Sequence, residues 1–403
     1  MNILYITHRL PYPPDKGDRI RTWHVLKYLA NHGRVYLATL ADEPVPGESL
    51  AVLRRTATRV ACIPIGGISR KFSAFTSLMV GRSISQGMFQ SVELKRIVRE
   101  WSREIRFDFA LASASSVAPY LRVPELVNAS KCVDFVDVDS RKWFDYAEAS
   151  SFPKSALYSL EGRRVRKLED EICGWADGAT LVSDAETALF NEGRKVGRAN
   201  VVTATNGVDL DYYRPDESAP NDNSLAFVGA FDYKPNVDGA VWFAREIWPR
   251  LRAEHPDLTL NLIGRNPVPE VVALAEVPGI TVAGTVPDVR PHAKRASVVI
   301  APLRIARGLQ NKVLEAFAMG KPVVATANAL GGFAPENDPP ALVASSPDEW
   351  CSQLNRLLAD EELRKSLGEL GRQYTESHHD WNHCLDPIRQ FFSVKTSRVL
   401  QPA

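Results

Sequence analysis

Short apolar runs recur along this chain, each followed by a longer stretch whose apolar residues fall at helical spacing. Residues 3–6, 35–40, 60–65, 109–112, 132–136 and 179–182 read as strands. Helical patterns at 20–30, 93–105 and 157–175 lie between them. Alternating strand and helix implies a parallel sheet with helices on both faces. A polar, proline-bearing stretch, residues 215–224 (PDESAPNDNS), interrupts the alternation and reads as a linker. The pattern then restarts, with strands at 225–228, 258–263, 280–282, 298–300 and 323–325 and helices at 237–252 and 309–318. Two βαβ domains follow, with a boundary between residues 205 and 224. Beyond Ser377, Trp381, Ile388, Phe391 and Phe392 recur at roughly helical spacing. They predict a closing helix, 378–395, that completes a first domain of residues 1–205; the second spans 206–377. A chain of 403 residues suits two or three domains better than one core.

The formal net charge of +1 lacks the basic excess of a nucleic-acid binder. Cys62, Cys132, Cys173, Cys351 and Cys384 are odd in number, widely spaced and free of any C-x-x-C, which suits reduced thiols rather than disulfides or zinc. The start, MNILYITHRLPYPP, is not a signal peptide, and no run approaches the roughly 18 apolar residues of a spanning helix. A cytoplasmic protein is expected, with at most a peripheral contact at the inner membrane surface.

Ligands of open α/β sheets bind beyond the carboxyl ends of the strands. After the first strand, Gly17 falls just before the helix start and Asp18 is a plausible N-cap, with Lys16, Arg19 and Arg21 adding charge. Glycine there admits a ligand to the backbone, and helix-start N–H groups hold anions. A proline-rich turn with solvated cations is the plainer reading. After the strand at 132–136, Asp137 and Asp139 form an Asp-x-Asp. Such a pair can hold a divalent metal, but Asp139 with Ser140 also suits a helix cap. Cap or cleft acid ranks above metal ligand, and Asp137 is kept as a general base or acceptor-orienting group.

In the second domain Gly229 ends the first strand, Lys234 follows, and Asn236 is a plausible cap. A glycine loop with a cation beneath a helix start suits a diphosphate. Gly264 and Arg265 end the next strand; Gly284, Thr285 and Val286 follow another, where backbone is free to bond a base edge. The sharpest stretch is PLRIARGLQNKVLEAFAMGKPVVAT. Gly308 opens a helix whose first turn carries Gln310, Asn311 and Lys312, with Glu315 on the same face. Lys312 suits phosphate oxygens and Glu315 a ribose. An exposed Lys–Glu pair explains any one residue, but not the whole set.

FVGAFDYKPN, LIGRNP, VAGTVPDV and GLQNKVLEAFAMGKPVVAT, in this order and spacing, strongly resemble the donor domain of retaining GT-B glycosyltransferases of the glycogen-synthase-like superfamily. LPYPPDKGDRIR, DVDSRKW and TNGVD look like a bacterial exopolysaccharide subgroup linked to the PEP-CTERM/exosortase system. The resemblance implies an α/β GT-B fold of two Rossmann-like domains facing each other across a cleft. It implies transfer from a UDP- or GDP-sugar to a glycan or lipid-linked acceptor, with retention and without metal or prosthetic group. Glu315 would bind the ribose; Gly229, Lys234 and Lys312 the diphosphate; Val286 would lie near the base; and Gly17, with Lys16, Asp18 and Arg21, would face the acceptor. Asn236, Arg265, Gly308, Leu309, Gln310 and Asn311 complete the donor set, and Asp137, Lys234 and Lys312 the catalytic one. The family carries a second glutamate eight positions before the ribose one; here that position is Arg307, which with Arg304 suits an acidic sugar or braces the diphosphate. Two rival readings are a sugar-nucleotide epimerase and a non-catalytic binding subunit. Between residues 69 and 106, eight cations (Arg70, Lys71, Arg82, Lys95, Arg96, Arg99, Arg103 and Arg106) face three glutamates, with Phe72, Phe75, Leu78, Met79 and Val80 among the first of them. That composition suits a membrane surface or, equally, a solvated helix face over buried aromatics.

Overall fold

A computed structural model describes residues 1–15, 17–192, 194, 197–216, 218, 222–306, 308–333 and 338–392, with the side chains of 68–72 and 75 excepted. Lys16 and Arg307, and the side chains of Arg70, Lys71, Phe72 and Phe75, lie outside the described residues. Two compact units divide the chain: Met1–Thr205 with Leu385–Ala403, and Asn206–Cys384.

The first unit runs β1 (Asn2–Thr7), α1 (Gly17–His32), β2 (Arg34–Ala41), α2 (Gly47–Thr56), β3 (Arg59–Pro64), α3 (Gly67–Met79), α4 (Ile84–Met88), α5 (Val92–Glu104) and β4 (Phe109–Ser113). It continues with β5 (Ser130–Val136), α6 (Asp139–Glu148), α7 (Lys154–Trp175), β6 (Gly178–Leu181), α8 (Asp184–Asn191) and β7 (Asn200–Thr203). All pairings are parallel, in the order β3-β2-β1-β4-β5-β6-β7. Strand β7, four residues of partly buried NVVT, is too short and polar to announce itself in the sequence.

The second unit runs β8 (Asp222–Val228), α9 (Lys234–Trp242), α10 (Trp248–Glu254), β9 (Thr259–Ile263), α11 (Pro269–Val272), β10 (Ile280–Gly284), α12 (Arg290–Arg295) and β11 (Ala296–Ala301). There follow α13 (Asn311–Ala318), β12 (Val323–Ala325), α14 (Ala327–Leu330), β13 (Leu342–Val343), α15 (Pro347–Ala359) and α16 (Glu361–His378). Its parallel sheet is ordered β10-β9-β8-β11-β12-β13. The helix predicted over 237–252 is broken: a π segment, Phe243–Ile247, separates α9 from α10. Pro249 in the first turn of α10 has no N–H to give to the preceding turn, so the α ladder stops ahead of it.

The segment expected as linker lies within the second unit, and β8 starts inside it, at Asp222. The closing segment forms a short α-helix, Trp381–Leu385, rejoins the first unit only at Leu385, and continues as a 3-10 helix, Asp386–Phe391. Pro387 in its first turn removes a donor there. Phe391 lies where a side chain on Gly178 would be: a Cβ there would meet its ring at 2.4 Å. The Phe392 ring packs 4.9 Å from that of Phe109. Both strands are thus covered on that face by chain from the far end of the sequence.

Candidate functional site

The larger set of candidate residues gathers in the second unit, where β8, β9 and β10 end side by side on glycines. Gly229 donates its N–H to the Ile263 carbonyl, and Gly264 to that of Gly284, each at 3.0 Å. Gly264 has φ +155 and Gly284 φ +65. A Cβ on Gly264 would stand 1.6 Å from the Gly229 oxygen. One on Gly229 would stand 2.8 Å from Asn236 Nδ2 and 3.3 Å from Lys312 Nζ. Gly229 is therefore already required by two side chains of this site, before any ligand is considered.

Asn236 is no helix cap. It is buried in the first turn of α9, donates Nδ2 to the Ala230 carbonyl at 2.8 Å and accepts the Lys312 ammonium on Oδ1. Lys234 opens that helix and is exposed. Helix α13 begins at Asn311, three residues later than expected. Gly308, at φ +63, belongs to the loop, and Gln310 at the N-cap donates to the Gly308 carbonyl at 3.2 Å. Leu309 packs against the core. Asn311 Oδ1 is buried and has no hydrogen-bond partner among the described residues. Such an atom costs about 1–3 kcal/mol until a donor reaches it.

Lys312 Nζ also lies 5.0 Å from the centre of the Phe227 ring. Burial lowers its pKa to about 8, opposed by Glu315. Burial raises the pKa of Glu315, opposed by a hydrogen bond from Tyr213 and by the Lys312 charge. The same burial, then the Glu315 charge, pushes the Tyr213 hydroxyl far above its usual range. Arg372 fixes the segment carrying Tyr213, donating to the carbonyls of Ala318, Tyr213 and Leu210 at 2.8, 3.0 and 3.2 Å. Sequence reasoning missed Tyr213, because nothing local in TNGVDLDYYRP ties it to a helix a hundred residues on. Lys312 and Glu315, read as an exposed pair in the plainer alternative, are partly buried instead.

Arg304 is held by Asp238, with Nε 2.9 Å from the carboxylate, and its guanidinium lies 5.5 Å from the Trp242 ring. Arg265 is half-buried and its carbonyl accepts from Phe231 N at 2.9 Å. Val286 packs partly buried against the core beyond β10.

In the first unit, Gly17 opens α1, and nothing lies within 4 Å of where its Cβ would be. Asp18 sits inside the helix, not at its cap. Burial favours its protonation, but hydrogen bonds from His8 and Arg9, and their charges, hold it well below the usual carboxylate range. The Arg9 bond measures 2.7 Å. His8 follows β1 directly and also reaches the Ser113 carbonyl at 3.2 Å. Its place after a strand was the signal that sequence reasoning overlooked.

Arg21 is not an acceptor-side cation. It is 1% exposed and forms two 2.8 Å bonds to Asp134, which is fully buried. Thr180 adds a 2.8 Å bond to the same carboxylate. Helical periodicity places Arg21 on the inward face of α1, where only a buried partner accommodates it.

Asp137 keeps much of its surface open, yet burial of its carboxyl raises its pKa, opposed by Lys142 and Arg21. Asp139 begins α6 but caps nothing, and accepts from Ser115 at 3.1 Å. The helix start is held by Glu169 on Ser140 N (3.0 Å) and Glu186 on Val138 N (2.8 Å). Burial, then the charge of Glu169, raises Asp139 to about 6. Val136, at φ +70, turns the chain between β5 and these acids.

The basic segment is partly neutralised. Arg96 pairs with Glu93 and Glu100, and Arg99 and Arg103 share Glu125. Glu125 lies outside the 69–106 segment whose charge it offsets. Among the described residues no helix is long and apolar enough to cross a membrane.

Two parallel α/β units of this kind define the GT-B class of fold. Sucrose-phosphate synthase from Thermosynechococcus elongatus superposes with a TM-score of 0.67 at 15% identity, over 98% of this chain and 99% of that one. Anabaena Alr3699/HepE, in complex with UDP, gives 0.64 at 14% identity, over 98% and 100%. Residues 222–360, within the C-terminal unit, match the family described as Glycosyl transferases group 1. D-inositol 3-phosphate glycosyltransferases from Corynebacterium urealyticum and Corynebacterium jeikeium are each 26% identical, over 60% and 58% of this chain. The matches span 62% and 60% of those relatives' own length.

Proposed function

We propose that the protein is a glycosyltransferase that takes a sugar from a nucleotide-sugar held on the C-terminal unit and gives it to an acceptor held on the N-terminal unit. The observation that carries the reading is the join of α9 to α13: one partly buried ammonium, Lys312, fixed by Asn236 beside glycine strand ends and a helix start. A cation, bare backbone and helix N–H groups together suit a diphosphate. The buried, unpartnered Asn311 Oδ1 suits a ligand hydroxyl or N–H. Glu315, near Lys312 and bonded by Tyr213, suits the ribose hydroxyls. The neighbour from Anabaena is described with UDP and with UDP-glucose, which favours a UDP-sugar here.

In transfer, the bond from the anomeric carbon to the diphosphate oxygen breaks, and one to the acceptor oxygen forms. Lys312 and Lys234 stabilise the departing diphosphate, so no metal is invoked. Asp137, at the end of β5, is assigned to the acceptor hydroxyl, whose proton it takes as the new bond forms. We assign retention of configuration, a glycan or lipid-linked acceptor, a cytoplasmic site of action peripheral to the inner membrane, and a role in bacterial exopolysaccharide synthesis of the PEP-CTERM/exosortase-linked kind, on the motif resemblance. Melting the protein with UDP-, GDP- and ADP-sugars tests the donor, since a ligand bound only by the native state raises the Tm. A rise with one base, lost in Lys312→Ala, is expected; no rise with any of them rejects the reading.

A further inference from the structure

The first unit contains a cavity of about 670 Å³ that the donor reading does not use. It lies between the start of α5, the 3-10 turn Ala118–Arg122 and the C-terminal half of α7, with the link from α3 to α4 along one side. Its size is that of a small-molecule site. Five cations line it, Arg82, Lys95, Arg122, Arg164 and Lys167, against one carboxylate, Glu171. In a chain of net charge +1, that is a local concentration of positive charge.

The cations do different work. Arg164 ties the lining together, donating to the Leu78 and Arg82 carbonyls at 3.0 and 3.1 Å. Arg122 lies 6.0 Å over the Trp175 ring. Arg82, Lys95, Arg122 and Lys167 are exposed, and none has an ion-pair partner among the described residues. This differs from the neighbouring Arg96, Arg99 and Arg103, each matched to a glutamate.

The rest of the lining mixes polar side chains, among them Gln86, Gln90 and Ser116, with apolar and aromatic ones, including Phe89, Tyr120 and Trp175. Val80 and Val92, on the lining, are 68% and 84% exposed, and Met79 beside them is 72% exposed. Unmatched cations beside exposed aliphatic side chains complement an anion joined to an apolar chain.

We propose that this cavity binds the anionic head of a lipid-linked acceptor, with a phosphate-type group on Lys95, Arg122 and Lys167 and the adjoining apolar chain on Val80 and Val92. The proposal rests on the glycosyltransferase reading for the word acceptor, but the binding it asserts is measurable without transfer.

Calorimetry with decyl phosphate below its micellar concentration, inorganic phosphate and decanol separates the contributions. Decyl phosphate binding at least tenfold tighter than either of the others is the expected result. Lys95→Glu with Lys167→Glu should weaken it tenfold or more, and the milder Lys95→Gln with Lys167→Gln by less. Nucleotide-sugar stabilisation should persist in both variants. Inorganic phosphate binding as tightly as decyl phosphate would make this a free-anion site and overturn the proposal. Decanol binding as tightly would make it merely apolar, with the same consequence, and so would variants that bind decyl phosphate undiminished. A failure of all nucleotide-sugars to bind, with decyl phosphate binding intact, would remove the donor reading and leave the cavity's ligand class standing.

Discussion

Lys312 donates its ammonium to Asn236 Oδ1 while Asn236 Nδ2 holds the Ala230 carbonyl, so a single amide aims the cation of one helix at the strand end before another. Lys312→Ala should therefore abolish transfer and weaken nucleoside diphosphate binding by about 1.5–3 kcal/mol, the range for hydrogen bonds to charged groups. Asn236→Ala should reproduce part of that loss without touching the ligand. Calorimetric affinities equal to those of the parent protein would remove both residues from the site.

The same ammonium gives a pH signature. Its pKa is lowered to about 8, so the charge is present below that value and lost above it. Diphosphate affinity should fall as pH rises from 7 through 9, and the Lys312→Ala variant should lack that fall. The sign for stability is opposite. Between about 8 and the unfolded value the unfolded chain binds more protons, so this residue's contribution to stability rises with pH.

Tyr213→Phe removes the hydroxyl that donates to Glu315 and leaves a partly buried carboxylate short of a partner. The expected cost is about 1–3 kcal/mol in unfolding free energy, with a further rise in the Glu315 pKa. Denaturant melts at pH 5 and pH 8 check it: the deficit should be smaller at the lower pH, where Glu315 is closer to neutral.

Gly264→Ala and Gly17→Ala should behave in opposite ways. The first forces a methyl to 1.6 Å from a carbonyl oxygen at a left-handed backbone position and should prevent stable folding of the C-terminal unit. The second meets open space and should shift stability by less than about 1 kcal/mol. If Gly17 faces the acceptor, its KM rises while the Tm stays in place; an unchanged KM removes Gly17 from the acceptor side.

Arg21→Ala should cost about 3–5 kcal/mol by leaving Asp134 charged, buried and unpaired. The loss should appear in the melting of the protein before it appears in acceptor KM, the reverse of what an acceptor-contacting cation would give. Transfer by the parent protein should survive EDTA. Loss on chelation with recovery on manganese would return Asp137 and Asp139 to the role of metal ligands.

The alternation of strands and helices and the glycine-ended strands of the second unit were legible because buried parallel strands write themselves as apolar runs, and because strand ends and helix starts are close in sequence; the order of the strands in each sheet was not. Lys312 and Glu315 were legible for the same reason: four residues on one helix fix their relation. What spacing does not encode is contact across the chain. Asn236 looked like a cap because its partner, Lys312, is 76 residues away. Arg21 looked like a surface cation because Asp134 is 113 residues away, and an arginine carries no mark of burial until its acid is found. The broken helix at Phe243–Ile247 was foreshadowed by Pro249, which the apolar periodicity on either side outweighed.

The placement of Phe391 against Gly178 sets the order in which the two units can be completed. The second unit is contiguous, Asn206–Cys384, and has all of its sheet before Phe391 is made. The first unit begins earlier but finishes later, since the aromatic pair that covers β4 and β6 follows the whole second unit in the chain. On the ribosome the inserted unit can close while its host still waits with one face uncovered, so the two mature in the reverse of the order in which they begin.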